Sequence, residues 1–241
     1  MRTQSRIKNQ ESRIPMRVFY LHGFASGATS TKARWLGERL AQHGITLECP
    51  DFNLPDFQTL TVTRMIEDVE RWMATGGGEP VALIGSSLGA LVAYHVAARS
   101  VQRPLPAAQG FRPAVDRLVL LAPALDIAPS LRRGLGGTKV DEWQRAGSLE
   151  VFHYGFNESR RVNYTLFEDC AQYDPFTTPL ATPILIFHGR RDESVSPAMV
   201  ERFASTRPNV ELHMLDDDHQ LIASLPYIWE QIRRFLALER Q

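Results

Sequence analysis

A serine hydroxyl is a poor nucleophile at neutral pH unless a histidine can take its proton and a carboxylate can fix that histidine's tautomer. The chain offers residues for all three parts. Ser87 lies midway between two glycines in Gly85-Ser86-Ser87-Leu88-Gly89, after the apolar run Val81 to Ile84 and before the helix-like run Ala90 to Arg99. That order reads as strand, sharp turn, helix. Such a turn strains the backbone of its middle residue and thrusts the hydroxyl outward, while the glycines let helix and strand approach. Ser86 is off centre and is not the candidate. The pattern alone is weak, because roughly one chain in ten of this length would hold it by accident at average residue usage. The strand before it, and a helix with small Ala90 and Ala93 after it, give it weight. Asp192 lies just past the apolar run Ile184 to Phe187, in Gly189-Arg190-Arg191-Asp192, and His219 just past Val210 to Met214, in Asp216-Asp217-Asp218-His219-Gln220. Strands of an open parallel sheet converge at their carboxyl edges, so residues far apart in sequence can meet there. The chemistry expected is acyl transfer, with Ser87 attacking, His219 acting as base and then acid, and Asp192 orienting His219. Asp126, after the strand-like Arg117 to Ala122, is a second position for the carboxylate.

The elements that must position these residues follow a regular alternation. A strand at Val18 to Leu21 delivers His22-Gly23-Phe24 at its carboxyl end. Thr29, Ser30 or Thr31 can cap a helix with Trp35, Leu36, Leu40 and Ala41 on one face and Gly44 as its stop. A second strand is expected at Ile45 to Cys49, then a loop at Pro50 to Phe57. An amphipathic helix follows, marked by Leu60, Val62, Met65, Ile66, Val69, Trp72 and Met73 and ended by Gly76-Gly77-Gly78. Beyond the Ser87 helix come a Pro-rich surface loop, Arg103 to Pro113, and the strand Arg117 to Ala122. The chain closes with the strand at Ile184, a helix at Pro197 to Ala204, the strand at Val210 and an amphipathic helix at Ile228 to Leu238. Strands alternating with helices imply a parallel sheet covered on both faces and joined by right-handed crossovers. Between Asp126 and Pro183 the alternation breaks, and a structureless loop of that length is unusual. A cap is expected there: a short helix from Thr138 to Gly147, a strand through Leu149, Val151 and His153, and a helix along Val162, Leu166, Phe167 and Cys170.

Composition bounds the rest. A chain of 241 residues, 44% hydrophobic and 22% charged, fits one globular domain at residues 16–241, with Met1 to Pro15 as a polar, disordered tail. Lys+Arg 27 against Asp+Glu 27 gives no argument for nucleic acid or an anionic membrane. Cys49 and Cys170 show no metal-ligand spacing and no disulfide framework, as a reducing, cytoplasmic setting leaves them. No apolar run reaches the roughly 18 residues of a membrane helix, and the N-terminus has no apolar segment of signal-peptide type. His188 and His22 read as braces of the turns presenting Asp192 and Phe24, and His43, His95, His153 and His213 as single surface or core residues. Asp216, Asp217 and Asp218 read as a solvated turn, because consecutive carboxylates point in different directions and hold a metal poorly. Phe52, Phe57, Trp143, Phe152, Tyr154 and Phe156 could line an acyl pocket or be ordinary core.

Taken together, Leu21-His22-Gly23-Phe24, Ser30-Thr31-Lys32-Ala33, the Ser87 motif, Gly189-Arg190-Arg191-Asp192 and Asp218-His219 resemble the α/β-hydrolase superfamily, and within it the small YqiA-like bacterial esterases. The order Ser, Asp, His is the one that superfamily uses. The resemblance implies a three-layer α/β-hydrolase fold with about six strands and a small cap insertion at about residues 126–183. Few residues precede Val18, so the first two antiparallel strands of larger hydrolases are not expected and the sheet should be wholly parallel. The Gly-x-x-Asp turn favours Asp192 over Asp126 as the triad acid. By matching position, the backbone N–H groups of Phe24 and Leu88 form the oxyanion hole. The expected function is ester hydrolysis without cofactor or metal, on a small acyl ester of short to medium chain. An acyl thioesterase or amidase with the same residues is the nearest rival, and a hydrolase-fold binding protein with a vestigial triad a more distant one. The sequence leaves the oligomeric state open.

Overall fold

The computed structural model describes residues 16–76, 78–102 and 114–238. The expected tail, the Pro-rich piece Arg103 to Pro113 and Gly77 of the triglycine lie outside the described residues. Six strands form one sheet: β1 (Arg17–Leu21), β2 (Leu47–Glu48), β3 (Val81–Ser86), β4 (Val115–Leu121), and, after an insertion that carries β5 and β6, β7 (Ile184–Gly189) and β8 (Val210–Leu215). Their order is β2-β1-β3-β4-β7-β8 and every neighbouring pair is parallel. The apolar runs that marked β3 and β7 are buried at every residue, as strands covered on both faces must be.

Helices cover both faces. The side chains of Phe19, Leu21 and Leu83 face α2 (Val62–Ala74), α3 (Leu88–Gln102) and α7 (Pro197–Ser205), whose buried residues share their cluster. Val18, Tyr20, Ala82 and Ile84 pack with α1 (Thr31–Ala41) and α8 (Leu225–Phe235) on the other face. The expected cap of α1 forms, Ser30 Oγ accepting the Ala33 N–H at 3.4 Å, and α2 has one the sequence reading did not name, Thr61 Oγ1 accepting the N–H of Arg64 at 3.1 Å. The second strand is shorter than the stretch Ile45 to Cys49 suggested, and α8 starts three residues before Ile228, with Pro226 in its first turn. Proline suits that position because the N–H it lacks has no helical acceptor there.

The order of the strands sets the site. The chain leaves β1 for β2 on one side and returns to β3 on the other, so the loops after β1 and β3 diverge and open a crevice at their carboxyl ends. Those are the loops of Phe24 and Ser87.

Between β4 and β7 stand α4 (Ile127–Leu135), α5 (Gly137–Ala146), a hairpin of β5 (Ser148–His153) and β6 (Glu158–Asn163), and α6 (Thr165–Cys170). Val162, expected on the last of these helices, is instead a strand residue of β6, paired with Leu149. Its carbonyl accepts the Trp143 indole N–H at 3.0 Å. This span has no separate core, since its buried Val140, Trp143, Val162, Leu166 and Phe167 belong to the same apolar cluster as β1, β3, α2 and α3. Among the described residues no helix is long and apolar enough to cross a membrane.

Candidate active site

The turn from β3 into α3 holds Ser87 at φ +53°, a left-handed conformation that a non-glycine residue adopts at a cost of about 1–3 kcal/mol. Its backbone N–H is held by Leu121 O at 2.9 Å, and its carbonyl accepts from Ala90 at 3.0 Å and Ala124 at 3.3 Å, which locks the strained residue in place. The flanking glycines are needed for close approach. A Cβ on Gly85 would lie 2.5 Å from Gly89 O and 2.6 Å from Ala90 Cα, and one on Gly89 would run into the carbonyl oxygens of Leu21 and His22. The elbow is therefore wedged directly against the end of β1.

Ser87, His219 and Asp192 meet at the sheet's carboxyl edge although 132 residues separate the first two. His219 Nε2 is 3.2 Å from Ser87 Oγ, and its Nδ1 is 2.7 Å from Asp192 Oδ2. Asp192 Oδ1 accepts the backbone N–H groups of Ser194 at 2.9 Å and Val195 at 2.8 Å. Burial pushes this carboxyl up, but the hydrogen bond and charge of His219, with the Val195 N–H, outweigh it and hold the group below the usual carboxylate range. Asp192 is therefore an anion at neutral pH. It accepts from Nδ1–H and leaves the Nε2 lone pair facing the serine.

Asp126 is engaged elsewhere. It stands just before α4 without capping it through its side chain, accepts from Ser130 Oγ at 2.7 Å and pairs with Arg133 at 3.0 Å, and among the described residues no hydrogen bond or ion pair joins it to His219. His188 is fully buried, and its Nε2 donates to Val195 O at 3.2 Å while lying 3.5 Å from Asp192 Oδ2. It braces the turn that presents the carboxylate. The three consecutive aspartates divide their work: Asp216 pairs with Arg191, buried Asp217 accepts from the Asp218 and Ser224 N–H groups, and Asp218 accepts from that of Gln220. Among the described residues no group of His, Cys, Asp or Glu side chains could hold a metal ion.

The two expected oxyanion donors are disposed differently. Leu88 opens α3, so its N–H has no intrahelical acceptor. The Phe24 N–H belongs to the Gly23–Phe24 peptide, whose carbonyl lies 2.9 Å from His22 Nδ1. His22 Nε2 accepts the Phe52 N–H at 3.0 Å, so the ring proton sits on Nδ1 and is donated to Gly23 O. The approach of Nε2 to Asp51, 3.4 Å, is then a contact rather than a bond. In a trans peptide C=O and N–H point opposite ways, so fixing Gly23 O turns the Phe24 N–H away from His22. A Cβ on Gly23 would lie 3.2 Å from Ser87 Cβ, which places this loop beside the serine.

The hairpin docks on the same loop. Asn53 donates to Ser26 O at 2.9 Å and accepts from His153 Nε2 at 2.8 Å, and the Gly155 N–H reaches Ala25 O at 3.4 Å. A line of ring contacts runs outward from the loop, Phe24 to Phe57, Phe57 to His153 and His153 to Phe156, at 5.6, 4.6 and 4.2 Å. Phe152 and Tyr154 stand exposed beside it. Sequence reasoning did not find the part His153 plays in holding the hairpin to the loop. A lone histidine on a strand gives no signal of a partner 100 residues away.

No curated protein matches this chain significantly. Several solved structures share its fold. Mouse alpha/beta hydrolase domain-containing protein 10 is 20% identical, with a TM-score of 0.72 over 92% of this chain and 90% of the other. Est1E from Butyrivibrio proteoclasticus, solved with ferulic acid bound, is 19% identical, with a TM-score of 0.76 over 95% and 91%. The Pyrococcus furiosus esterase Pf2001 is 21% identical, with a TM-score of 0.63 over 92% and 83%. The parallel sheet, the elbow after its third strand and these likenesses establish the α/β-hydrolase fold. A model of the uncharacterised protein family UPF0227 matches residues 17–237, nearly all of the described chain, and the protein belongs to that family.

Proposed function

We propose that this protein is a serine hydrolase of carboxylic esters, with Ser87 as nucleophile, His219 as general base and then acid, and Asp192 as the residue that orients His219. The observation that carries the reading is the unbroken relay from Ser87 Oγ through both nitrogens of His219 to a buried carboxylate, at 3.2 and 2.7 Å. His219 Nε2 takes the serine proton as Oγ attacks the ester carbonyl, and the negative charge on the carbonyl oxygen is met by the N–H groups of Phe24 and Leu88. The imidazolium, balanced by Asp192, returns its proton to the leaving alcohol. Water then attacks the acyl-enzyme, His219 taking a proton from the water and returning it to Ser87 Oγ as the bond to the acyl group breaks and the carboxylic acid leaves.

The insertion at residues 126–183 serves as the cap in this reading. Its aromatic edge beside the oxyanion loop suits an apolar acyl group of limited length, each buried CH₂ contributing about 0.8 kcal/mol. Acyl-coenzyme A thioesters would need cationic groups for the polyanionic leaving group. Of the cap cations Arg132, Arg133 and Lys139, two are partly committed elsewhere, Arg133 to Asp126 at 3.0 Å and Arg132 to Asp141 at 3.7 Å, which weighs against the thioesterase reading. The unpaired cysteines, Cys49 and Cys170, fit a reducing compartment, and the cytoplasm is the location proposed.

The test is turnover of chromogenic esters of increasing acyl length beside the matching thioesters and amides, with a fluorophosphonate probe to label the nucleophile. Labelling and turnover lost together in Ser87→Ala support the assignment. Labelling that survives in that variant refutes it, a large preference for thioesters replaces the substrate class, and a folded wild-type protein that neither turns over nor labels is a binding protein.

A further inference from the structure

One buried cation beside the site has no part in that mechanism. Lys32 is the second residue of α1 and only 7% exposed. A positive charge is unfavourable there on two counts, because burial penalises it and the first turn of a helix is the positive end of the dipole. Its Nζ donates to Gln220 O at 3.0 Å, bridging 188 residues to reach the carbonyl directly after His219. The charged groups facing it are Asp218 and Asp217 from the loop after β8 and Asp192 from the loop after β7, and the first turn of α1 adds no acidic residue. Among the described residues none of these carboxylates lies within ion-pair distance of Nζ, so one cation serves three carboxylates through its field.

We propose that Lys32 is a positioning residue for His219, its ammonium tying the Gln220 carbonyl and balancing the carboxylates that flank the imidazole, so that the loop after β8 stays closed against α1. The proposal rests on the Ser87–His219 reading for its effect on turnover, but the tie itself does not. Burial pushes the Lys32 ammonium down to about 8, against the pull of Asp218, Asp192 and Asp217. Above that pH the side chain becomes a neutral amine, a weaker donor that leaves the carboxylates unbalanced. Turnover should therefore decline as pH rises through about 8. Stability moves the other way. Between about 8 and the ordinary 10.5 the unfolded chain holds this proton and the folded chain does not, so folding is favoured as pH rises. An alkaline loss caused by Lys32 is a loss of activity in a protein that remains folded.

The experiment measures kcat and KM on a chromogenic ester across about pH 6 to about pH 10, with circular dichroism at each point, for wild type, Lys32→Met and Lys32→Arg. Wild type should lose turnover near pH 8 while folded. Lys32→Met should lower kcat about 10- to 100-fold with KM within about twofold, and Lys32→Arg, charged throughout, should recover most of kcat and keep its plateau to about pH 10. A flat wild-type profile, an alkaline limb unmoved in Lys32→Arg, or a Lys32→Met kcat above about half of wild type would overturn the proposal. If Lys32→Met does not fold, the wild-type and Lys32→Arg profiles decide. Hydrogen exchange at the Gln220 and Leu221 amides, both bonded to Asp218, reads the loop without turnover. Exchange about tenfold faster in Lys32→Met but not in Lys32→Arg supports the tie even if the hydrolase reading fails, and unchanged exchange sinks it.

Discussion

Asp192→Asn probes the relay at its least exposed member. The two carboxylate oxygens have different duties, Oδ1 accepting from Ser194 at 2.9 Å and Val195 at 2.8 Å while Oδ2 accepts from His219 at 2.7 Å. An amide has only one oxygen to offer. Turning its NH₂ toward Ser194 and Val195 would set donor against donor and leave two backbone N–H groups unsatisfied, at about 1–3 kcal/mol each. The oxygen therefore stays with those N–H groups and the NH₂ faces His219. The imidazole must then accept at Nδ1 and carry its proton on Nε2, from which it donates to Ser87 Oγ and cannot take the serine proton. On this argument kcat falls by about 10⁴-fold, equivalent to about 5.4 kcal/mol of transition-state stabilisation. Folding loses much less, about 1–2 kcal/mol, because both backbone bonds survive and one charge-assisted bond becomes a neutral one. Ester turnover and thermal unfolding of the same preparation test both halves. A variant that keeps a tenth of wild-type kcat, or one that loses activity only because it unfolds, would refute the reasoning.

Other outcomes follow from the same contacts. Asp126→Asn, which leaves the relay untouched, should change kcat by less than about threefold, and a larger loss than in Asp192→Asn would move the triad. His22→Leu releases Gly23 O, so the Phe24 peptide can rotate; kcat should fall about 10²- to 10³-fold, the loss typical of one oxyanion donor, with KM little changed. Because Asp192 is held below its ordinary value, it contributes stability that is complete above the unfolded carboxylate range near pH 4 and is lost as pH falls through its lower folded value. The acid limb of Tm against pH should therefore be shallower in Asp192→Asn than in wild type. Trp143→Phe removes the indole bond to Val162 O and leaves that buried carbonyl without it, so chemical denaturation should show a loss of about 1–3 kcal/mol.

The legible parts were those whose signals are local. β1, β3 and β7 are continuous apolar runs, and the glycines of the elbow are dictated by close approach, Gly85 to the start of α3 and Gly89 to Leu21 and His22, so pattern and turn chemistry were enough. The meeting of Ser87, Asp192 and His219 followed from a rule of topology, since parallel strands end on one edge whatever their order in the chain. The cap was less legible. β6 reads Glu-Ser-Arg-Arg-Val-Asn and buries only Val162, so it carries no alternation to find, and it is a strand because β5 supplies its partner. Without that pairing, Val162 falls at helical spacing from Leu166, which is how the expected helix came to begin too early.

The loop after β1 shows a different kind of limit. His22 in Leu21-His22-Gly23-Phe24 marked the loop, but the direction of the Phe24 N–H depends on which nitrogen of His22 carries the proton. That in turn depends on the Phe52 N–H, 30 residues away on a loop with no regular structure. The next residue, Asn53, then joins the same loop to the hairpin through Ser26 O and His153. Two neighbouring residues of one loop thus hold the loop after β1 from both sides, one through a tautomer and one through an amide. Asn53→Asp separates these contributions. It leaves the Phe52 bond in place but sets a carboxylate oxygen against Ser26 O, so the end of the loop nearest the hairpin should loosen while His22 keeps its tautomer. Because His22 still fixes the Gly23–Phe24 peptide, kcat on a small ester should fall less than about tenfold, whereas longer acyl chains that reach the hairpin should lose more. A uniform loss across chain lengths would mean that the hairpin has no part in holding the acyl group.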